Sequence, residues 1–189
     1  PYIFYLYHQL DDEAGLPIEG MYADLNGDGV IDIDDRYRVH SPAPDWIFGL
    51  STNLRWKKWT LSCSMRANVG NYVYNGNAMN MGAWETVSFN TYQLNNIHSS
   101  YLDTGFQHRQ RLSDYYLENA SFLKMDNISL RYTFGKVSSW ISNLYVSAMV
   151  QNVFTITKYS GVDPEVPSGC DKEFYPRPRT FSLTVGVDF

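Results

Sequence analysis

Apolar and polar side chains alternate along six stretches of the chain, the period of strands with one dry and one wet face. Trp46, Phe48, Leu50, Leu54 and Trp56 share one parity, with Gly49, Ser51, Asn53 and Arg55 on the other. Trp59, Leu61, Cys63, Met65, Ala67 and Val69 alternate with Lys58, Thr60, Ser62, Ser64, Arg66 and Asn68. Ile128, Leu130, Tyr132 and Phe134 stand against Ser129, Arg131 and Thr133, and Leu144, Val146, Ala148 and Val150 against Ser147 and Gln151. The cleanest stretch is Phe181, Leu183, Val185, Val187 and Phe189, with Ser182, Thr184, Gly186 and Asp188 between them. A sixth, Tyr2 to His8, is short and aromatic, and its pairing is open. Upstream of Asn127 the parity breaks, Leu123 and Met125 being odd, which predicts a β-bulge there.

Alternation does not separate a sandwich from a barrel, since both have one apolar and one polar face. The connections discriminate better. The stretches ending at Trp56 and beginning at Trp59 meet at a tight turn near Trp56-Lys57-Lys58, and those ending at Phe134 and beginning at Leu144 at the short link Gly135 to Ser142. The other links, roughly 8–45, 70–120 and 155–179, are long, so short and long alternate. Transmembrane barrels follow that rule, with tight periplasmic turns and long outer loops. Sandwiches seldom carry structureless links beyond about 12–15 residues. Trp56, Trp59, Phe134, Trp140 and Phe189 fall at or near short-turn ends, as in an interfacial aromatic girdle. Phe189, read as the outer-membrane assembly signal on the final strand, sets the expected topology: the last strand ends in the periplasm and the long links lie outside the cell. The expected fold class is therefore all-β, the C-terminal strands of a large antiparallel transmembrane β-barrel, with residues 1–189 supplying about six strands and three long extracellular loops.

Composition fits this picture. Aromatic residues make up 16% of the 189, charged residues only 19%, and the mean hydropathy is -0.34. No apolar run approaches the length of a membrane helix, which leaves a strand-built span open. The formal net charge of -5 and the lack of a basic cluster argue against nucleic acid as a partner. Cys63 and Cys170 are too few for a disulfide framework or zinc cluster. The chain opens at Pro1 without a signal peptide and is read as a fragment of a longer product.

One local signal points to metal chemistry. Between Asp11 and Asp35 there are nine carboxylates and no Lys or Arg. Within that segment, 24–35 matches a calcium loop of EF-hand type, with Asp24, Asn26, Asp28 and Asp32 at positions 1, 3, 5 and 9 and Gly29 at the sharp turn. Ca²⁺ takes six to eight oxygens, and oxygen donors at alternate positions converge once the glycine lets the chain turn. Val30 would add its backbone carbonyl. Asp35 stands at position 12 in place of Glu, so closure from that side is shorter. The expected cofactor is a structural Ca²⁺; the competing reading is a solvated acidic turn held by Asx hydrogen bonds. His8, His40, His98 and His108 fall in no ligand or triad spacing, and no catalytic constellation is visible. Tyr72, Tyr74, Trp84, Tyr92, Tyr101 and Phe106 could stack on sugars or peptides or pack the loops together. No substrate-binding residue can be named.

Four blocks carry a family resemblance. They are 22–32 (YADLNGDGVID), 111–124 (RLSDYYLENASFLK), 151–161 with Asp163-Pro164-Glu165, and 175–182 (YPRPRTFS). In that order they resemble the SusC/RagA-like TonB-dependent outer-membrane transporters. The resemblance implies a barrel of about 22 strands, of which this segment is part. It also implies an N-terminal plug and a TonB box, neither present in this chain, and a SusD-like surface lipoprotein as partner. The implied function is TonB-dependent nutrient uptake, of glycan oligosaccharides or peptides, through the outer membrane of a Gram-negative, Bacteroidetes-like cell. The protein would be no enzyme, and its further partners would be TonB and outer-membrane lipid. The alternative from another class is a secreted, calcium-binding β-sandwich that binds carbohydrate.

Overall fold

The structure, a computed structural model, describes residues 3–87, 96–172 and 175–189. In chain order its first strands are β1 (Phe4–Tyr7), β2 (Gln9–Asp11), β3 (Pro17–Tyr22), β4 (Arg36–Val39), β5 (Trp46–Trp56), β6 (Trp59–Val69) and β7 (Tyr72–Tyr74). Two short helices follow, α1 (Gly76–Met81) and α2 (Tyr101–Thr104). The chain then forms β8 (Leu117–Asn119), β9 (Phe122–Gly135), β10 (Asn143–Thr157) and β11 (Thr180–Asp188). These elements divide into two units. One comprises Pro1–Pro44, Gly70–Ala120 and Tyr159–Tyr175; the other comprises Asp45–Val69, Ser121–Lys158 and Pro176–Phe189.

The second unit is a single antiparallel sheet in the order β11-β10-β9-β6-β5. Its register turns sequence parity into faces. Leu54, Leu61, Leu130, Ala148 and Leu183 stand side by side across all five strands, and so do Thr52, Cys63, Ile128, Val150 and Phe181. Trp56, Trp59, Tyr132, Val146 and Val185 form the row beside the short turns. The opposite face carries Asn53, Ser62 and Ser129, then Arg55, Thr60, Arg131, Ser147 and Thr184.

The apolar face is bare. Leu54, Phe181, Leu183 and Val185 are each more than half exposed (61%, 73%, 76% and 61%), and no second sheet packs on them among the described residues. Such rows are stable only against a non-aqueous surround. A sandwich would have clasped them in its core, so the β-sandwich alternative fails here.

Both short connections are as expected. Lys57 and Lys58 close the β5–β6 hairpin, with Lys57 at φ +54, the left-handed backbone that two-residue hairpins demand. Residues 136–142 join β9 to β10. The bulge is real as well: Asn127 pairs with Ser64 and Gln151, then Met125 pairs with Met65 and Phe154, leaving Asp126 over on β9. On the polar face Gly186 sits opposite Tyr145, and the ring occupies the space a Cβ would need. Arg131 lies 4.3 Å from the centre of that ring.

The sixth expected wall strand is a correction. The Tyr2–His8 stretch yields only β1, Phe4–Tyr7, which pairs with β4 in a separate two-stranded ladder; Tyr2 lies outside the described residues. Four residues are too few to span a bilayer, which takes about 9–11. Phe4 and Leu6 are instead buried with Tyr74, Ala78, Ala83, Phe106 and Tyr116 in the core of the first unit. The sheet therefore has five strands.

Candidate functional site

The acidic segment lies in the first unit, between β3 and β4. Asp24 leads it, accepting hydrogen bonds from the backbone N–H of Gly27 at 2.6 Å and of Gly29 at 2.8 Å through its two oxygens. Asn26 Oδ1 accepts from Asp28 N, and Asp28 Oδ1 from Val30 N, each at 2.8 Å. Gly27 and Gly29 have φ of +78 and +83, which lets the chain wind tightly enough for these contacts. Asp32 caps the 3-10 turn Ile33–Asp35 by accepting from Asp34 N. Asp35 reaches back, one oxygen to the N–H of Leu25 at 2.8 Å and the other to that of Asp32 at 2.8 Å.

Asp35 is wholly enclosed, while Asp24, Asn26, Asp28, Val30 and Asp32 are open to solvent or nearly so. Hydrogen bonding from the Asp32 N–H, aided by Leu25 and Asn26, holds the Asp35 carboxyl below the usual carboxylate range despite its burial. Asp35 thus fastens the loop from within, and the other carboxylates shape successive turns. The set is all oxygen, which suits Ca²⁺ in kind. Among the described residues, no three Asp, Glu, His or Cys side chains converge closely enough to hold a metal.

The histidines stand apart from one another. His8 bonds Asp114 at 2.8 Å, His40 stacks on Tyr72 with ring centres 3.6 Å apart, His98 contacts Ser100, and His108 contacts Glu85. Asp114 is a junction that the spacing did not disclose. It takes the His8 ring, the Gln9 N–H and the Tyr37 hydroxyl, so three distant segments meet on one carboxylate. Burial, then Asp114 itself, pushes Tyr37 up to about 12. Glu85 binds the Arg109 Nε at 2.6 Å and the His108 ring at 3.1 Å, and these contacts lower it to about 2. The two oxygens of Glu19 accept from the N–H groups of Gln107 and His108.

Of the loop aromatics, Tyr74 and Phe106 are core residues of the first unit, while Trp84 is exposed and leans on Tyr101 with ring centres 6.0 Å apart. Tyr92 lies outside the described residues. The first unit also holds a polar cleft of about 280 Å³ among His98, Asp103, Tyr115, Glu118 and Ser160. Phe189 is almost fully exposed just past β11 and continues the parity of its apolar row.

These features define a class: a segment of the wall of a large antiparallel β-barrel, with one apolar and one polar face. No protein-family model matches the chain. It is 41% identical over 195 residues to the TonB-dependent receptor SusC of Bacteroides thetaiotaomicron, covering 98% of this chain and 19% of that protein. It is 27% identical over 190 residues to the TonB-dependent receptor P3 of Formosa agariphila, covering 89% of this chain and 19% of the relative. Among solved structures, the RagAB peptide transporter matches all of this chain and 23% of that one, at a TM-score of 0.74 and 23% identity. The RagAB peptide importer in its closed-closed state matches at 0.72 and 21%, covering 99% of this chain and 22% of that one. The chain spans about a fifth of the length of the curated relatives it matches.

The chain is SusC/RagA-like: it is similar over nearly its whole length to part of a TonB-dependent receptor. Receptors of this family are outer-membrane proteins, and the relatives are receptors and transporters by name.

Proposed function

We propose that this segment builds part of the barrel wall and outer loops of a TonB-dependent nutrient importer in the outer membrane of a Bacteroidetes-like bacterium. The observation that carries the reading is the bare apolar face, continuous across five strands, backed by a face of Ser, Thr, Asn and Arg. Lipid on one side and water on the other is the environment that such a sheet requires. Glycan oligosaccharides or peptides are the cargo that the family resemblance implies, and a peptide transporter shares the fold. The remainder of the protein would supply the other strands of a barrel of about 22, the plug and the TonB box. A SusD-like lipoprotein would work with the loops. Phe189 would act in assembly of the barrel.

The Asp24–Asp35 loop would take Ca²⁺ as a structural ion. Support comes from its oxygen-only donor series at alternate positions.

The test is made on the full receptor in its host. It should fractionate with the outer membrane, and its deletion, or loss of the TonB-contacting region, should abolish growth on the cognate oligosaccharide or peptide as sole source. A freely soluble receptor, or uptake that survives both lesions, overturns the proposal.

A further inference from the structure

One cavity of the first unit is chemically unlike its surroundings. That unit contains five Lys and Arg against 17 Asp and Glu, a formal -12. Yet a cavity of about 660 Å³ within it is lined by Arg111 and Lys172 and, among the described residues, by no carboxylate. Ile3, Leu6 and Met79 give it apolar wall, and Cys170 lines it as well.

The backbone brings these distant residues together. The 111–113 segment is fastened to β1, because the Tyr7 N–H donates to the Leu112 carbonyl at 2.8 Å and Tyr7 forms a parallel bridge with Ser113. The 169–171 stretch is fastened to β7. Tyr74 N–H donates to the Gly169 carbonyl and Asp171 N–H to the Tyr74 carbonyl, each at 2.9 Å. Asp171 there is buried and accepts the Tyr159 hydroxyl, so alternation leaves Cys170 and Lys172 to line the cavity. Helix α1, which supplies Met79, seats closely on the same stretch. A Cβ on its Gly76 would lie 2.8 Å from the Asp171 carbonyl oxygen and 3.2 Å from Lys172 Cγ.

Arg111 and Lys172 are both exposed, and among the described residues no ion pair engages either. Two cations beside an apolar wall, with no carboxylate in the lining to quench them, select an anion that carries a hydrocarbon body. The volume falls within the roughly 300–1,000 Å³ of small-molecule sites. A neutral sugar would leave both cations unanswered and set its hydroxyls against Ile3, Leu6 and Met79.

We propose that this cavity binds a small amphipathic carboxylic acid, with its carboxylate on Arg111 and Lys172 and its apolar body against Ile3, Leu6 and Met79. Guanidinium and ammonium groups both form charge-assisted hydrogen bonds to a carboxylate, and the hydrocarbon gains by leaving water. The site goes beyond the import reading and holds whichever cargo the barrel carries, since every residue invoked lines one cavity of the first unit.

The test uses the full receptor, purified in detergent and titrated with phenylbutyrate, with phenylbutanol, and with acetate. The intact receptor should bind phenylbutyrate at least about tenfold more tightly than either control. Saturating phenylbutyrate should also slow alkylation of Cys170 by N-ethylmaleimide, read by peptide mapping. The variant R111A/K172A should lose the preference for the acid over the alcohol, while R38A, an exposed cation outside the lining, should keep it. Recovery of each variant in the outer membrane as a heat-modifiable barrel confirms folding. Equal binding of acid and alcohol by the intact receptor overturns the site, as does a preference that survives in R111A/K172A. Alkylation of Cys170 unchanged by saturating acid overturns it too. So does tighter binding of glycylglycylphenylalanine than of phenylbutyrate, which would make a peptide end the occupant.

Discussion

Arg66 grips Asp126 with two donors, Nε to Oδ2 at 2.7 Å and Nη2 to Oδ1 at 3.0 Å, across the register shift between β6 and β9. Asp126 is the residue left over by that shift, so the ion pair holds a bulge that has no ladder partner of its own. The two side chains are about a third exposed (36% and 28%), and solvent screening keeps the pair modest. Asp126→Ala and Arg66→Ala should each lower stability by about 1 kcal/mol, and the double variant by no more than either alone. Urea unfolding of the receptor in detergent gives the cycle. Additive losses would show that the two residues act separately.

The two faces of the sheet should differ sharply in their tolerance of charge. Val150 lies in the row of Thr52, Cys63, Ile128 and Phe181, well inside the apolar band. Val150→Arg should cost about 2–4 kcal/mol, the figure for cations near a bilayer midplane. Val185 shares its row with Trp56 and Trp59 beside the short turns, so Val185→Arg should cost nearer 0–1 kcal/mol, as at an interface. Ser147→Arg and Thr184→Arg, on the wet face, should be tolerated. Unfolding measurements on the four variants in lipid check the ranking, and equal losses from both faces would reverse the assignment of inside and outside.

The sheet was legible because each wall strand exceeds eight residues and one solvent lies on each side, so period-2 alternation persists long enough to be read. The break in parity at Met125 even placed the bulge. The other unit was not legible in that way. Its strands run three to six residues, and side chains that bond distant backbone groups secure it: Asp114 to Gln9, Glu19 to Gln107 and His108, Asp35 to Leu25. Such contacts leave no period. Phe4 and Leu6 alternate like wall residues yet face a local core with Phe106, because two turns of alternation fit either role. In the acidic loop, the spacing of carboxylates announced a compact turn, but only the fold makes Asp35 its buried anchor.

The Glu85 clasp should fail in acid. Hydrogen bonding to Arg109, then to His108, lowers Glu85 from the ordinary 4.5 to about 2. A carboxyl with a depressed folded value stabilises the fold fully above its unfolded value and loses that contribution as pH falls through the folded one. The 105–109 segment should therefore stay protected from protease at pH 5, loosen between about pH 4.5 and 2, and be loose at every pH in Glu85→Gln. Pepsin or another acid-stable protease, applied to receptor-bearing membranes across that range, reads the cut. Identical cleavage of the parent and Glu85→Gln at pH 5 would show that the clasp does not hold the loop.

The acidic loop offers the last test, because its two readings predict different responses to one ion. If the Asx bonds alone shape the turn, adding Ca²⁺ changes nothing, since the Asp24 and Asp28 oxygens already have backbone N–H partners. If the loop takes Ca²⁺, the lone pairs that those bonds leave unused must receive it, and the N–H donors continue to orient the carboxylates. Calorimetry of the full receptor should then give saturable heat with Ca²⁺. Chelation should quicken protease cleavage within 24–35, and Asp24→Ala should abolish both effects. Asp35→Ala separates anchoring from coordination: by freeing the N–H groups of Leu25 and Asp32 it should open the loop with or without the ion. Absence of heat together with cleavage indifferent to Ca²⁺ would leave the loop as an acidic turn that closes on its own backbone.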